Sequence, residues 1–348
     1  MSGSGVTREG LHAVAPGSDA TTAVGTGPGG SDLAERRWRR RRRGEAPMVP
    51  EATFRSYYGK PVINRPVWQA PDIPGYLFLG GLAGAGSVVA AGAQLTGRPG
   101  LSRVLKLGAT GAAGLSFAAL VHDLGRPGRF LNMLRTFKVT SPMSVGSWLL
   151  TAYGGAATVA AASEMTGMAR PVGLAATVAA AAVGSGVATY TAALISNTAV
   201  PAWHDGYRAM PFLFASSAMS AAAGLGLVGA PLGEVAPVRR LGVVTGLGEL
   251  VLTKVMERQS GLAREAFEEG RAKRYGQAAE VVTLAGVVLA AAGRERRTLS
   301  ALGGAGLLAG SALTRFAVFE AGRNSADDPR YTIVPQRQRL EARRAAAT

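Results

Sequence analysis

Between residues 73 and 319 the chain repeats one feature eight times: an apolar run close to the length needed to cross a bilayer. A hydrocarbon core of about 30 Å takes roughly 20 helical residues per crossing. Lipid offers no partner for backbone polar groups, so a chain that crosses repeatedly must do so as helices or as a closed barrel. The runs fall at 73–95, 104–124, 144–163, 172–195, 209–228, 241–256, 278–292 and 299–319, the sixth and seventh being the shortest. Several are apolar around their whole circumference, which a soluble bundle would have to bury completely. The reading is therefore all-α: a polytopic membrane helical bundle of about eight transmembrane helices.

Charge supports this division of the chain. Only 17% of residues are charged, where a soluble domain carries about 25%, and stretches such as 107–121 and 177–195 hold no Asp, Glu, Lys or Arg at all. The net charge of +16 sits mainly in the tails and in two loops flanking apolar segments. That placement fits cytoplasmic loops and anionic lipid rather than a nucleic-acid face. The expected organisation is an Arg-rich disordered tail over 1–47, a pre-membrane segment over 48–72, a membrane domain over 73–320 and a polar tail over 321–348. The arginine run at 36–43 has no apolar stretch close behind it, as a twin-arginine signal would need. Met48 is a second candidate start.

With eight crossings, both tails and the loops after spans 2, 4 and 6 share one side, which holds most of the 38 Lys and Arg. The bias puts both termini in the cytoplasm; with the tails set aside the two sides are nearly balanced. Gly80 with Gly84, and Gly242 with Gly246, stand one helical turn apart. Small residues at that spacing let helices approach closely in lipid.

Polar residues gather at span ends, all on the side of the tails. Asp72 stands near the N-cap of span 1, with Pro74 in the first turn. His122-Asp123-Leu124-Gly125-Arg126-Pro127 closes span 2, Pro142-Met143-Ser144 opens span 3, Tyr190 lies in the last turns of span 4, and Pro201-Ala202-Trp203-His204 opens span 5. A histidine beside a carboxylate is a suitable proton relay near neutral pH. Each residue also has a structural reading: Asp123 and Arg126 as an interfacial pair ending a helix, Tyr190 and Trp203 as an aromatic belt.

These same stretches resemble the membrane subunits of the NrfD and polysulfide reductase family. The resemblance is carried by Tyr76-Leu77-Phe78-Leu79-Gly80-Gly81-Leu82-Ala83-Gly84, by His122–Pro127 with Arg129-Phe130-Leu131-Asn132-Met133, by Ser141-Pro142-Met143-Ser144 and by Tyr190 through Trp203. It implies a quinone- or quinol-interacting subunit of a multisubunit respiratory oxidoreductase that is not an enzyme by itself. The diffusible substrate would be a quinone, in particular menaquinone. The partners would be a four-cluster ferredoxin-like iron–sulfur subunit, a molybdopterin oxidoreductase subunit and membrane lipid, with no nucleic acid. The pocket carried over is Asp72, Tyr76, His122, Asp123, Arg126, Tyr190 and Trp203, with His122, Asp123 and Tyr190 in the catalytic role. Two other classes stay open, a secondary transporter and a purely structural anchor. The first would show a midplane site and repeat symmetry, whereas the polar residues here lie at one end.

No cysteine is present, so no iron–sulfur cluster is expected in this chain. Of three histidines one, His12, lies in the N-terminal tail; His122 and His204 would have to share one membrane face to hold a haem, and none is expected. Deeper ionisable residues are Glu249 and Lys254 in span 6 and Arg315 in span 8. Charges there are costly and usually face a cavity or each other. Glu249 is a candidate proton carrier, and Lys254 is placed to snorkel to the interface.

Overall fold

The computed structural model describes residues 62–124 and 128–346. Among them there are helices and no strand. Eight long helices coincide with the eight apolar runs: α1 (Asp72–Leu95), α2 (Pro99–Asp123), α3 (Pro142–Thr166), α4 (Arg170–Ser196), α5 (Met210–Gly229), α6 (Ala236–Gln259), α7 (Gly270–Ala292) and α8 (Arg297–Asp327). Six are long and apolar enough to cross a membrane on those grounds alone; α3 and α6 are the two that are not. The sixth and seventh helices extend well beyond the short runs at 241–256 and 278–292. Their added turns carry Glu257, Arg258, Lys273 and Arg274, which a hydropathy pattern leaves out.

Proline sets most of the starts. It occupies the first turn of α2, α3, α4, α5 and α6, where its missing N–H has no helical partner to lose and its fixed φ suits the helix. Ser141 caps α3 by accepting the N–H of Ser144, and Gly167 ends it in the left-handed region at φ 70°, its N–H donating to the Ser163 carbonyl.

Residues Pro66–Ser325 form one compact unit. Within it α1 packs against α2, α4 and α5, α3 pairs with α4, and α6 lies between α5 and α7. Several crossings need glycine, and two illustrate it. A Cβ on Gly184 would stand 2.8 Å from the Gly84 carbonyl, and a Cβ on Gly84 would stand 2.9 Å from the Ala188 amide, so α1 and α4 touch backbone to backbone. A Cβ on Gly304 would stand 2.9 Å from Leu227 Cβ and meet the Gly224 carbonyl where α8 crosses α5. Close approach of this kind holds membrane helices together by packing, since lipid gives no hydrophobic drive between them. Outward faces carry large apolar side chains, among them Leu115, Val244 and Val281, each more than 60% exposed. A soluble protein rarely leaves so much apolar surface uncovered. The chain is a multi-pass membrane protein.

Of the described residues, 62–65 and 326–346 fall in a second unit. Its described part holds the helix α9 (Arg330–Ala346), an ion pair between Arg65 and Asp327 at 3.0 Å, and another between Arg330 and Asp328 at 2.7 Å.

Candidate functional site

The starts of α1 and α3 and the ends of α2 and α4 meet at one end of the bundle. Pro71, not Asp72, holds the N-cap position of α1, and no side chain caps it. Asp72 is the first helical residue, and its carboxylate pairs instead with His122 Nδ1 at 2.7 Å, joining the beginning of α1 to the end of α2. The His122 ring is 78% exposed and Asp72 largely covered, so the pair presents the imidazole to the outside. Next to it, the Asp123 carboxylate accepts the Gln69 N–H at 3.1 Å. That bond holds the segment before α1 against the end of α2 and brings Trp68 over the space between the helices.

That space is a slot of about 80 Å³, lined by Trp68, Tyr76, Leu120, Asp123, Leu150 and Tyr190 among others. At about 10–15 Å³ for each water-sized occupant, it has room for several waters, or for a flat ring of similar bulk. Its walls are mainly apolar, with a few polar groups, which is the usual make-up of a small-molecule site. Tyr76 is buried and Tyr190 half-buried. Gly146 makes the room for Tyr190, because a Cβ there would stand 2.8 Å from the ring at Cδ2. Among the described residues the Tyr190 hydroxyl has no hydrogen bond, whereas the Ser147 hydroxyl on the facing wall is spent on the Ser144 carbonyl at 2.9 Å.

Of the residues expected from the sequence, Tyr76, Asp123 and Tyr190 therefore converge on the slot. His122 and Asp72 stand at the rim beside it and do not line it. Arg126 lies outside the described residues. Trp203 is fully buried rather than in an interfacial belt: its Nε1–H donates to the Val318 carbonyl at 2.7 Å, and it stacks on Trp68 with centroids 5.6 Å apart. Gly322 permits this, since a Cβ there would run into the indole. Trp203 thus backs Trp68, a slot residue. His204 Nδ1–H donates to the Ser196 carbonyl at 3.1 Å, away from the slot. The other wall residues carried no distinguishing signal in the sequence, Gly146 included, because its part is set by a ring on another helix.

The deeper ionisable residues form a separate centre between α5, α6 and α8. Glu249 and Arg315 are both buried. Glu249 Oε1 accepts the Ser217 hydroxyl at 2.8 Å; having spent its one hydrogen, Ser217 in turn accepts from Ser311 at 2.8 Å. Arg315 Nη2 donates to the Phe214 carbonyl at 2.9 Å, and its guanidinium lies 3.7 Å from the Phe214 ring centroid. Among the described residues, Glu249 Oε2 and Arg315 Nε and Nη1 have no hydrogen-bond partner. A cavity of about 30 Å³ reaches Glu249 from Glu257 and Glu280, and both of those pair with Lys254. Lys254 is half-exposed, as a snorkelling side chain would be. Among the described residues no cluster of three or more His, Cys, Asp or Glu is arranged to hold a metal ion.

Comparison with known proteins gives one match. The family model described as polysulphide reductase, NrfD, covers residues 61–235, half of the chain and every residue named in the slot. No curated protein and no solved structure matches.

Proposed function

The chain belongs to the polysulphide reductase NrfD family, and from that premise we propose that it is the quinone-reactive membrane subunit of a multisubunit oxidoreductase, exchanging electrons between membrane quinone and an iron–sulfur partner. One observation carries the reading: Tyr76, Asp123 and Tyr190, from three different helices, line one apolar slot with the His122–Asp72 pair at its rim.

Reduction of a quinone, menaquinone in the family-based reading, takes two electrons and two protons, and oxidation of the quinol returns them. The slot has parts suited to both halves. Tyrosine hydroxyls at Tyr76 and Tyr190 can donate to carbonyl oxygens, and the apolar walls around Leu120 and Leu150 exclude water from the ring. Asp123 is the one carboxylate in the wall, placed to hold or release a proton at its free oxygen. His122, paired with Asp72 and open to the outside, is suited to pass protons between Asp123 and water. Arg126, three residues past Asp123 in the sequence, would supply positive charge in the family-based reading, and Trp203 acts as a positioning residue through Trp68. With no cysteine in the chain, the metal centres belong to partners: a four-cluster ferredoxin-like iron–sulfur subunit docked on the slot's rim, and a molybdopterin oxidoreductase subunit beyond it.

The test is quinol turnover and quinone-analogue binding by the purified complex. Tyr190→Phe and Asp123→Asn each lower affinity or turnover by tenfold or more while the complex stays assembled. Full activity in both variants would sink the reading and favour a structural anchor. The basic tails place the rim and both termini on the cytoplasmic side; a reporter fused after Thr348 that is active only outside the cytoplasm overturns that orientation.

A further inference from the structure

A larger cavity lies directly below the slot. It measures about 430 Å³ and runs between α2 and α3, with Leu150 in the wall of both spaces. On α2 it extends from Phe117 to Thr110, and on α3 from Leu150 to Thr158. At 1.5 Å per residue these stretches are about 10 Å long, and they lead from the slot's end of the bundle toward the middle of the helices. Gly114, Gly155, Thr151 and Thr158 in its walls are exposed, so the groove opens on the outer face of the bundle, at a depth where the surroundings are lipid.

The floor of this groove is not explained by helix packing. At Gly84, Gly184, Gly224 and Gly304 an added Cβ would strike a neighbouring helix; at Gly114, Gly154 and Gly155 it would meet nothing within 4 Å. Glycine inside a helix costs about 1 kcal/mol relative to alanine. Three of them in one groove, with no close contact to show for it, keep open a space that larger side chains would fill.

We propose that this groove is the tail site of the same quinone: the polyprenyl chain leaves the slot past Leu150 and lies between α2 and α3, against Gly114 and Gly154. The inference rests on the slot being the head-group site. What points to this occupant is that the two spaces meet at one side chain, Leu150, which lines both. A molecule with a ring held near the membrane boundary and a long apolar chain must send that chain toward the bilayer centre, and the groove is the path that starts at the slot's own wall. Its length suits the first few isoprenoid units.

Gly114→Leu and Gly154→Leu, separately and together, add bulk to the groove at positions where a Cβ meets no neighbour within 4 Å. The full chain in detergent or nanodiscs is titrated with matched pairs of a naphthoquinone and a benzoquinone, each with and without its polyprenyl chain. The expected result is a loss of tenfold or more in affinity for the tailed member of a pair and less than twofold for its tailless counterpart. Unchanged affinity for the tailed quinone overturns the tail site, leaves the slot standing and assigns the groove to a lipid acyl chain. Equal loss for both members also overturns it, since the substitutions then act on the slot itself. If wild-type protein binds none of the four, the head-group reading fails and takes the tail site with it.

Discussion

The two polar regions of this protein use similar residue types in opposite settings. At the rim, Asp72, His122 and Asp123 tie helix ends together by bonds that leave the imidazole outside and a carboxylate facing the slot. In the middle of α5, α6 and α8, Glu249 and Arg315 are enclosed, each with some of its polar atoms paired and some not. Charge at a wet boundary is cheap to hold and easy to exchange; charge inside a bundle persists only where its surroundings compensate it. The contrast predicts that substitutions at the rim alter chemistry with little effect on folding, and substitutions in the centre do the reverse.

The largest effect is expected from Arg315→Met. It removes the charge facing Glu249, the bond to the Phe214 carbonyl and the stacking on the Phe214 ring. Removing one partner of a buried pair leaves the other uncompensated and typically costs about 3–5 kcal/mol. Thermal unfolding in detergent reads this directly, and the double variant Glu249→Leu/Arg315→Met recovers most of the loss because it removes both charges. A single variant as stable as wild type would show that water reaches Glu249, through the small cavity beside Glu257 and Glu280, and the contrast with the rim would weaken.

How much of this was legible beforehand follows the same line between local and long-range causes. The eight helices could be read because a bilayer imposes a length on every apolar run, and prolines marked most of their starts. The extent of α6 and α7 could not, because their added turns carry Glu257, Arg258, Lys273 and Arg274, which no run of hydropathy takes in. Tyr76, Asp123 and Tyr190 stood at span ends on one side, so their convergence followed once the helices alternated in direction. The pairing of His122 with Asp72, fifty residues apart in sequence, depends on how α1 is rotated against α2. Asp72 carried a helix-start signal that Pro71 fulfils in its place. Trp203 had the address of an interfacial aromatic, but Gly322 on a helix far along the chain opens a seat for it in the core. The groove between α2 and α3 was hidden because glycines that permit contact and glycines that keep space open look alike in a sequence.

The smallest effect on stability, and the sharpest test of the contrast, belongs to His122→Ala. The ring is largely exposed, and its one partner, Asp72, sits at a helix start where a carboxylate is also favoured by the helix dipole. Removing the imidazole leaves Asp72 only partly covered at a helix start, and ion pairs with one exposed member contribute little to folding. The unfolding midpoint is therefore expected to stay at the wild-type value, while quinol turnover by the complex falls and quinone-analogue affinity changes far less than in Tyr190→Phe. That separation arises if His122 moves protons at the mouth and Tyr190 touches the ring. A midpoint lowered as far as that of Arg315→Met would mean the rim pair holds α1 against α2. Unaltered turnover at an unaltered midpoint would instead remove His122 from the proton path and leave Asp123 to reach water through the mouth alone.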